Sequence, residues 1–220
     1  MGKMIANTFR HFNTITKHRR FVRRHCRKCG IGFQGMFHDL SKYSRTEFWA
    51  GVRYYQGTRS PNDKEREELG YSLAWMHHKG RNKHHFDYWV DYDPVTHLQT
   101  PVEMPVRYAA EMLCDRMAAS KIYNGSSYTD ADSLNYFLRG KSRRKINPAT
   151  SELLEGWLTI LAENGEKAVF KQVRKAVRAD RKKRRKDRAA RRKASRAAER
   201  EERIASRAKG KNDTEGKSEI

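Results

Sequence analysis

The run Phe37-His38-Asp39-Leu40-Ser41-Lys42 sets a histidine directly before an aspartate, with a lysine about one turn further on. That order is a poor recipe for an ordinary surface helix and a good start for a metal site. On a helix, neighbouring residues diverge by about 100°, so His38 and Asp39 can still converge on an ion at the rim of a shared face. Two ligands alone hold little. The run therefore asks the rest of the chain for another histidine, another carboxylate, and basic groups suited to an anionic substrate.

Upstream, Ile5, Phe9, Phe12, Ile15, Val22 and Cys26 recur at three- and four-residue steps. This period predicts an amphipathic helix from Met4 to Cys29, ended by Gly30. His11, His18 and His25 fall seven apart, on one stripe of that helix. His18, between Ile15 and Val22 on the inward side, is the candidate upstream ligand, whereas His11 and His25 fit as fillers beside the core face. Cys26 and Cys29 have the spacing of a zinc half-site, but a structural site needs a second pair. Only Cys114 remains, so the two are expected to be buried thiols near a helix end.

Downstream, Gly30, Gly32 and Gly35 make a flexible turn into the His38-Asp39 helix. Ser44-Arg45-Thr46-Glu47 has the form of a capping box, with Glu47 reaching back to the helix start. It opens a helix carrying Phe48, Val52 and Tyr55, followed by a loop over residues 56–63. Asp63 is the expected N-cap of the next helix, with Leu69, Leu73 and Met76 facing inward. That helix runs into the densest cluster of the chain, Trp75 to Trp89. His77, His78, His84 and His85 stand there among Lys79, Arg81 and Lys83, flanked by tryptophans. Packing explains such a mixture badly, since a core rejects the cations and a solvated loop has no use for the aromatics. His78 and His84 are the first choices to touch a metal or a substrate phosphate.

Residues 90–103 are polar and Pro-punctuated. Pro105 suits the first turn of a helix reaching about Lys121, on which Glu111 and Asp115 share a face. Met112, Leu113 and Met117 favour an inward Asp115, and Ala118 and Ala119 would let that face approach another helix closely. Asp130–Arg139 is a short helix with Leu134, Phe137 and Leu138. After a break at Asn147-Pro148, a further helix from Ser151 to Ala162 is closed by Asn164-Gly165. No stretch alternates apolar and polar residues long enough to demand a sheet, so the body is expected to be all-α.

The 220 residues suffice for one domain with a real core plus an appendage. Residues 171–211 hold 20 Lys and Arg against 5 Asp and Glu, whereas residues 1–170 hold 27 against 18, within a total net charge of +22. The expected organisation is a helical domain over residues 1–165 and a basic tail, helical to disordered, over 166–220. Val169, Phe170, Val173 and Val177 keep helical register, so the tail helix should begin docked. Beyond Arg178 the sequence turns to Ala, Arg and Lys, all good helix formers, and dissolves into the polar terminus Lys209–Ile220. Such a balance predicts attraction to phosphate-rich partners and makes residues 171–211 a candidate nucleic-acid-binding segment. Three cysteines, no apolar run of about 18 residues and no cleavable leader argue for a cytoplasmic protein without a membrane partner.

Taken in order, His18, the pair His38-Asp39 and Asp115 follow the ligand order of the HD superfamily of metal-dependent phosphohydrolases, which the chain resembles. Lys42 strengthens the likeness. More narrowly, the chain is similar to the domain-of-unknown-function family 5662, through His18, the 38–42 run, the 77–89 cluster, Glu103-Met104-Pro105, Glu111-Met112 and Asp115, over roughly residues 5–160. The resemblance implies an HD-like helical bundle and a metal site held by His18, His38, Asp39 and Asp115. In the HD phosphodiesterases that open cyclic dinucleotides, histidines between the His-Asp pair and the final Asp hold a second metal. His77, His78, His84 and His85 lie in that interval, but the Glu and the Gly-Tyr-Pro that accompany them there are missing. The expectation is therefore one ion, with these histidines near the phosphate.

The chemistry also follows from the residues. Two imidazoles and two carboxylates suit Mn²⁺, Fe²⁺, Co²⁺ or Zn²⁺ better than Mg²⁺, and a bound water of lowered pKa supplies a nucleophile. Lys42 and Arg81, with His78 and His84, are the expected phosphate contacts. Lys42, Glu47 and Glu111 are the catalytic candidates, with Glu47 or Glu111 positioning the water or acting as general acid. The expected activity is metal-dependent hydrolysis of a nucleotide or related phosphate ester. The alternative is a nucleic-acid-binding protein whose HD-like body is catalytically silent and whose tail does the binding.

Overall fold

The structure, a computed structural model, describes the backbone of residues 2–215 and the side chains of residues 2–203. The first stretch is helical as its period predicts, α1 (Gly2–Cys29), but Ile5, Phe9 and Phe12 are exposed and its buried face carries Asn7, His11, Ile15, His18, Val22, His25, Cys26 and Cys29. Gly30 ends it at a φ of 82° that favours glycine. There follow α2 (Gly32–Met36), a 3₁₀ turn at Leu40–Tyr43, α3 (Arg45–Arg53), α4 (Pro61–Leu69) and α5 (Leu73–Lys79). A two-stranded antiparallel ribbon, β1 (Val90–Tyr92) and β2 (Gln99–Pro101), pairs Val90 with Pro101. The chain continues through α6 (Val106–Asn124), α7 (Asp132–Gly140) and α8 (Pro148–Glu215). The fold is all-α, and the ribbon is its one departure among the described residues.

The core forms where α1 meets α6. Val22, Cys26 and Cys29 pack against Ala109, Ala110, Leu113, Cys114, Met117 and Ala118, whose several small side chains allow close approach. Phe137 of α7 and Leu154, Trp157, Leu158 and Leu161 of α8 close the cluster. Each large apolar side chain buried there contributes about 1.5–3 kcal/mol. Gly165 (φ 77°, ψ 176°) interrupts α8 where Asn164-Gly165 signalled a stop. Beyond it, Val169, Phe170, Val173 and Val177 are buried in the same core, as their register predicted.

The chain divides into two compact units, Met1–Val177 and Arg178–Ile220. The core thus extends past residue 165 to Val177. Taken by itself, the second unit is helical to Glu215, and its side chains from 181 to 203 are all exposed. Of the expected polar terminus, residues 209–215 are helical and residues 216–220 lie outside the described residues. Among the described residues no helix is long and apolar enough to cross a membrane.

Two local expectations need correction. Ser60, not Asp63, caps α4: its Oγ accepts from the Asn62 amide at 3.3 Å, with Pro61 in the first turn. Leu69, Leu73 and Met76 are 46, 54 and 51% exposed, while Glu65, Ala74 and His78 face inward. The reason is a helix break. Gly70 (φ 79°) ends α4 and Ser72 Oγ, accepting from the Trp75 amide at 2.9 Å, starts α5 in a new register.

Candidate metal centre

His38 and Asp39 are not on a helix. Asp39 adopts the left-handed conformation (φ 52°, ψ 30°) at the head of the Leu40–Tyr43 turn. Aspartate is among the few residues besides glycine that tolerate this region. The conformation still costs on the order of 1 kcal/mol and persists only where its surroundings hold it. Arg19, next to His18 on α1, supplies that hold: its Nε donates to the His38 carbonyl at 2.8 Å and its Nη2 to the Met36 carbonyl at 3.1 Å. The turn frees the two adjacent side chains from helical divergence, and His38 Nε2 lies 3.3 Å from Asp39 Oδ2.

With that carboxylate gather the other three ligands expected from the sequence, His18, His38 and Asp115. His18 Nε2 is 3.8 Å from Asp39 Oδ2 and 2.9 Å from Asp115 Oδ1, which is 3.5 Å from His38 Nε2. One ligand atom from each of His18, His38, Asp39 and Asp115 lies within 4.8 Å of the others, a group able to hold a metal ion. The other oxygen of Asp39 has a set of its own. His78 Nε2 and His84 Nε2 stand 3.3 and 3.4 Å from Oδ1, and His85 Nε2 is 2.9 Å from His78 Nε2. Asp39, His78, His84 and His85 form a second group within the same limit. His78 and His84, expected beside a substrate phosphate, thus stand in a second donor set that shares Asp39 with the first.

Asp39 is fully buried, and neither of its oxygens has a hydrogen-bond partner of ordinary geometry, although Lys42 Nζ lies 2.7 Å from Oδ2. His84 Nε2 is likewise buried without such a partner. Buried polar atoms are nearly always hydrogen-bonded. Unsatisfied ones that converge on one point, with imidazole nitrogens only 2.9–3.4 Å apart, suit a shared cation.

Behind the donors stands a layer of carboxylates. Glu111 Oε1 faces His38 Nδ1 at 3.0 Å and His84 Nδ1 at 3.5 Å, while its other oxygen accepts from Gln34 Nε2. Glu47 Oε2 faces His78 Nδ1 at 2.7 Å and Oε1 faces His77 Nδ1 at 2.6 Å. Ser44 Oγ accepts from the Glu47 amide at 3.4 Å, so half of the capping box exists, but the Glu47 side chain turns inward to the histidines. A carboxylate on Nδ1 fixes the tautomer and aims the Nε2 lone pair at the ion. Glu47 and Glu111, the candidates to position a water or act as general acid, are thus in contact with imidazoles. Asn82 Nδ2 ties the same region together, donating to Ser41 Oγ and the His78 carbonyl, each at 2.8 Å.

The remaining candidates divide. Lys42 joins the centre through Asp39, whereas Arg81 is exposed and its Nη1 donates to the His77 carbonyl at 3.3 Å, away from Asp39. His11 packs beside Gly51, where a Cβ would stand 2.1 Å from His11 Nε2, and His25 Nδ1 faces the Cys114 carbonyl at 3.4 Å. Both are the fillers their stripe suggested. Cys26, Cys29 and Cys114 are buried free thiols, with Cys29 Sγ 3.7 Å from Cys114 Sγ. Sequence reasoning passed over Arg19, Gln34 and Asn82, which act through backbone, carboxylate and imidazole contacts that no spacing reveals. It also ranked His85 behind His78 and His84.

Burial alone would push the Asp39 carboxyl up, but His38, Lys42 and His78 outweigh it and hold the carboxyl well below the usual range. Asp115 is likewise held well below by its bonds to His18 and His38 against the pull of burial. Glu111 falls to about 2, burial being overcome by His38 and His84. Lys42 is raised despite its burial, by Asp39 and Asp115, and so remains an ammonium. Burial lowers His18, with Lys42 adding to the effect, and lowers His85 far more, with His84 and His78 adding. The centre therefore combines ionised carboxylates with neutral imidazoles such as His18 and His85, the protonation states that metal binding requires. His38 is the exception: burial lowers it, yet Asp39, Asp115 and Glu111 raise it above its ordinary value. A cation on Nε2 would take the place of that proton.

The side chains of Asp115 (16% exposed) and Lys42 (29%), with half-buried His85, are the open parts of a centre whose other donors are buried. No curated protein and no solved structure matches the chain. A family of unknown function (DUF5662) matches residues 7–160, which include His18, His38, Asp39, the 77–85 histidines and Asp115, and the chain belongs to that family.

Proposed function

We propose that the Asp39 centre binds two divalent transition-metal ions and hydrolyses a phosphate ester, a nucleotide or a close relative. The observation that carries this reading is the shared carboxylate: Asp39 turns one oxygen to His18 and His38 and the other to His78 and His84. A nitrogen-rich set with two aspartates suits Mn²⁺, Fe²⁺, Co²⁺ or Zn²⁺. Ions held there supply Lewis-acid polarisation of a phosphoryl oxygen and a water acidic enough to attack at neutral pH.

The protein's own groups do the rest. Glu111 and Glu47 hold the imidazoles in register by accepting the Nδ1 protons. Lys42, on the open edge, offers an ammonium to the charge of the phosphate. Asp115 and Lys42 mark the side from which substrate approaches, since His18, His38, His78 and His84 behind them are buried. The excess of Lys and Arg over residues 1–170, 27 against 18 Asp and Glu, favours an anionic substrate.

The test is phosphate release from a panel of nucleoside mono-, di- and triphosphates by full-length protein loaded with Mn²⁺. Release that a chelator abolishes, that Asp39→Ala removes and that Arg81→Ala leaves intact is expected. Protein carrying bound metal that releases phosphate from none of the panel would contradict hydrolysis.

A further inference from the structure

The second unit carries a pattern that the metal centre does not use. Between residues 181 and 196 stand seven arginines, Arg181, Arg184, Arg185, Arg188, Arg191, Arg192 and Arg196. The stretch is helical and every side chain in it is exposed. At 100° per residue all seven fall within an arc of about 140°, which they share with Ser195 alone. The lysines, Lys182, Lys183, Lys186 and Lys193, lie together on one flank outside that arc. Ala189, Ala190, Ala194 and Asp187 occupy the remainder. The arginine face extends about 22 Å along the helix axis.

A helix that only needs to stay soluble has no reason to sort arginine from lysine, because both are equally at home in water. Sorting has a purpose where the two differ. Arginine presents a planar fork that grips phosphate oxygens in pairs, while lysine offers a point charge. The opposite side offers nothing to insert into a bilayer, since residues 181–203 contain no Leu, Ile, Val, Phe or Trp. A smooth helix edged with arginine matches a groove lined with phosphates. The major groove of duplex DNA is about 12 Å wide and admits an α-helix, with phosphates along both rims.

We infer that the Arg181–Arg196 face docks on the phosphate backbone of a double-stranded nucleic acid, with lysines at the flank adding attraction but little fit. Duplex RNA presents the same phosphates but a deep, narrow major groove, so comparing the two duplexes separates phosphate attraction from groove fit. The contact is to backbone, so binding is insensitive to base sequence. Each phosphate neutralised contributes about −0.9 to the slope of log affinity against log salt, so full engagement of the face gives a slope near −6.

The experiment uses full-length protein and fluorescein-labelled 20-base-pair duplexes of DNA and of RNA, read by anisotropy across a salt series. Two variants each remove three charges: Arg184→Ala/Arg188→Ala/Arg192→Ala from the face and Lys182→Ala/Lys183→Ala/Lys193→Ala from the flank. Helix content, followed by circular dichroism, is expected to hold in both, since alanine favours helix. The inference expects the arginine triple to lose at least tenfold more affinity than the lysine triple on whichever duplex binds. Equal losses would overturn the docking face, leaving a diffuse positive cloud. So would failure of both duplexes to bind at low salt, or binding to phosphatidylserine vesicles or poly-glutamate in place of a duplex.

Discussion

The Asp39 centre and the Arg181–Arg196 helix are both dense in charge, and they handle it in opposite ways. In the centre, titratable groups are mostly buried and stand within 4 Å of one another, so each position has one tenant. On the helix the charges are exposed and nearly all positive, and solvent screens them. Burial makes charge specific because desolvation must be compensated atom by atom. Exposure leaves only number and face to matter. Substitutions in the centre should therefore be severe and particular, and substitutions on the helix graded and additive.

The largest effect is expected from Asp39→Ala. A site filled at 100 times its dissociation constant stabilises the fold by about 2.7 kcal/mol. Loss of the shared carboxylate should thus remove about 5 kcal/mol of Mn²⁺-dependent stabilisation, seen as a thermal shift with added metal in the wild type and none in the variant. A variant that kept half of the shift would show that one donor set binds without Asp39.

His25 separates burial from ligation. It lies on the same stripe as His18 but touches the core, is 2% exposed, and burial lowers it from 6.5 to about 4. Its folded value lies below its unfolded one, so the unfolded chain binds the extra proton. Stability should then fall as pH drops from 6.5 towards 4, by about 3 kcal/mol in all. Denaturant titrations should show His25→Leu with a shallower loss across that window. An unchanged pH profile would assign the acid sensitivity elsewhere.

Glu111→Gln keeps the shape but withdraws the charge behind His38 and His84. Metal affinity should drop about 10- to 100-fold, as is usual for a group that orients ligands, measured by competition with a chromophoric chelator. The smallest effect belongs to ending the chain after Val177. The core is complete by then, so metal content should be unchanged and stability altered by no more than about 0.5 kcal/mol. A large loss of stability would mean that residues beyond Val177 support the first unit.

Much of the centre was legible because helical periodicity and residue type select the same positions. His18 is the histidine between inward apolar residues, and Asp115 is the carboxylate among Met112, Leu113 and Met117. What stayed hidden depends on backbone that periodicity cannot describe. A left-handed Asp39 turns a helical pair into a bridge between two donor sets, and nothing in the His-Asp dipeptide announces it. Glu47 shows a pattern satisfied in part: Ser-x-x-Glu did produce the cap from Ser44, but two histidines from α5 outcompeted the backbone amide for the carboxylate. Leu69, Leu73 and Met76 were misplaced because Gly70 and Ser72, both readable as punctuation, break the register that spacing alone carried across them. The ribbon has three residues per strand, too few to alternate visibly.

The central claim is that two donor sets meet at one carboxylate, and metal stoichiometry tests it most directly. Elemental analysis of protein loaded with Mn²⁺ and desalted should find two ions per chain in the wild type, one in His18→Ala, one in His78→Ala and none in Asp39→Ala. A wild type that holds no metal after loading, or an Asp39→Ala variant with the wild-type count, would contradict it.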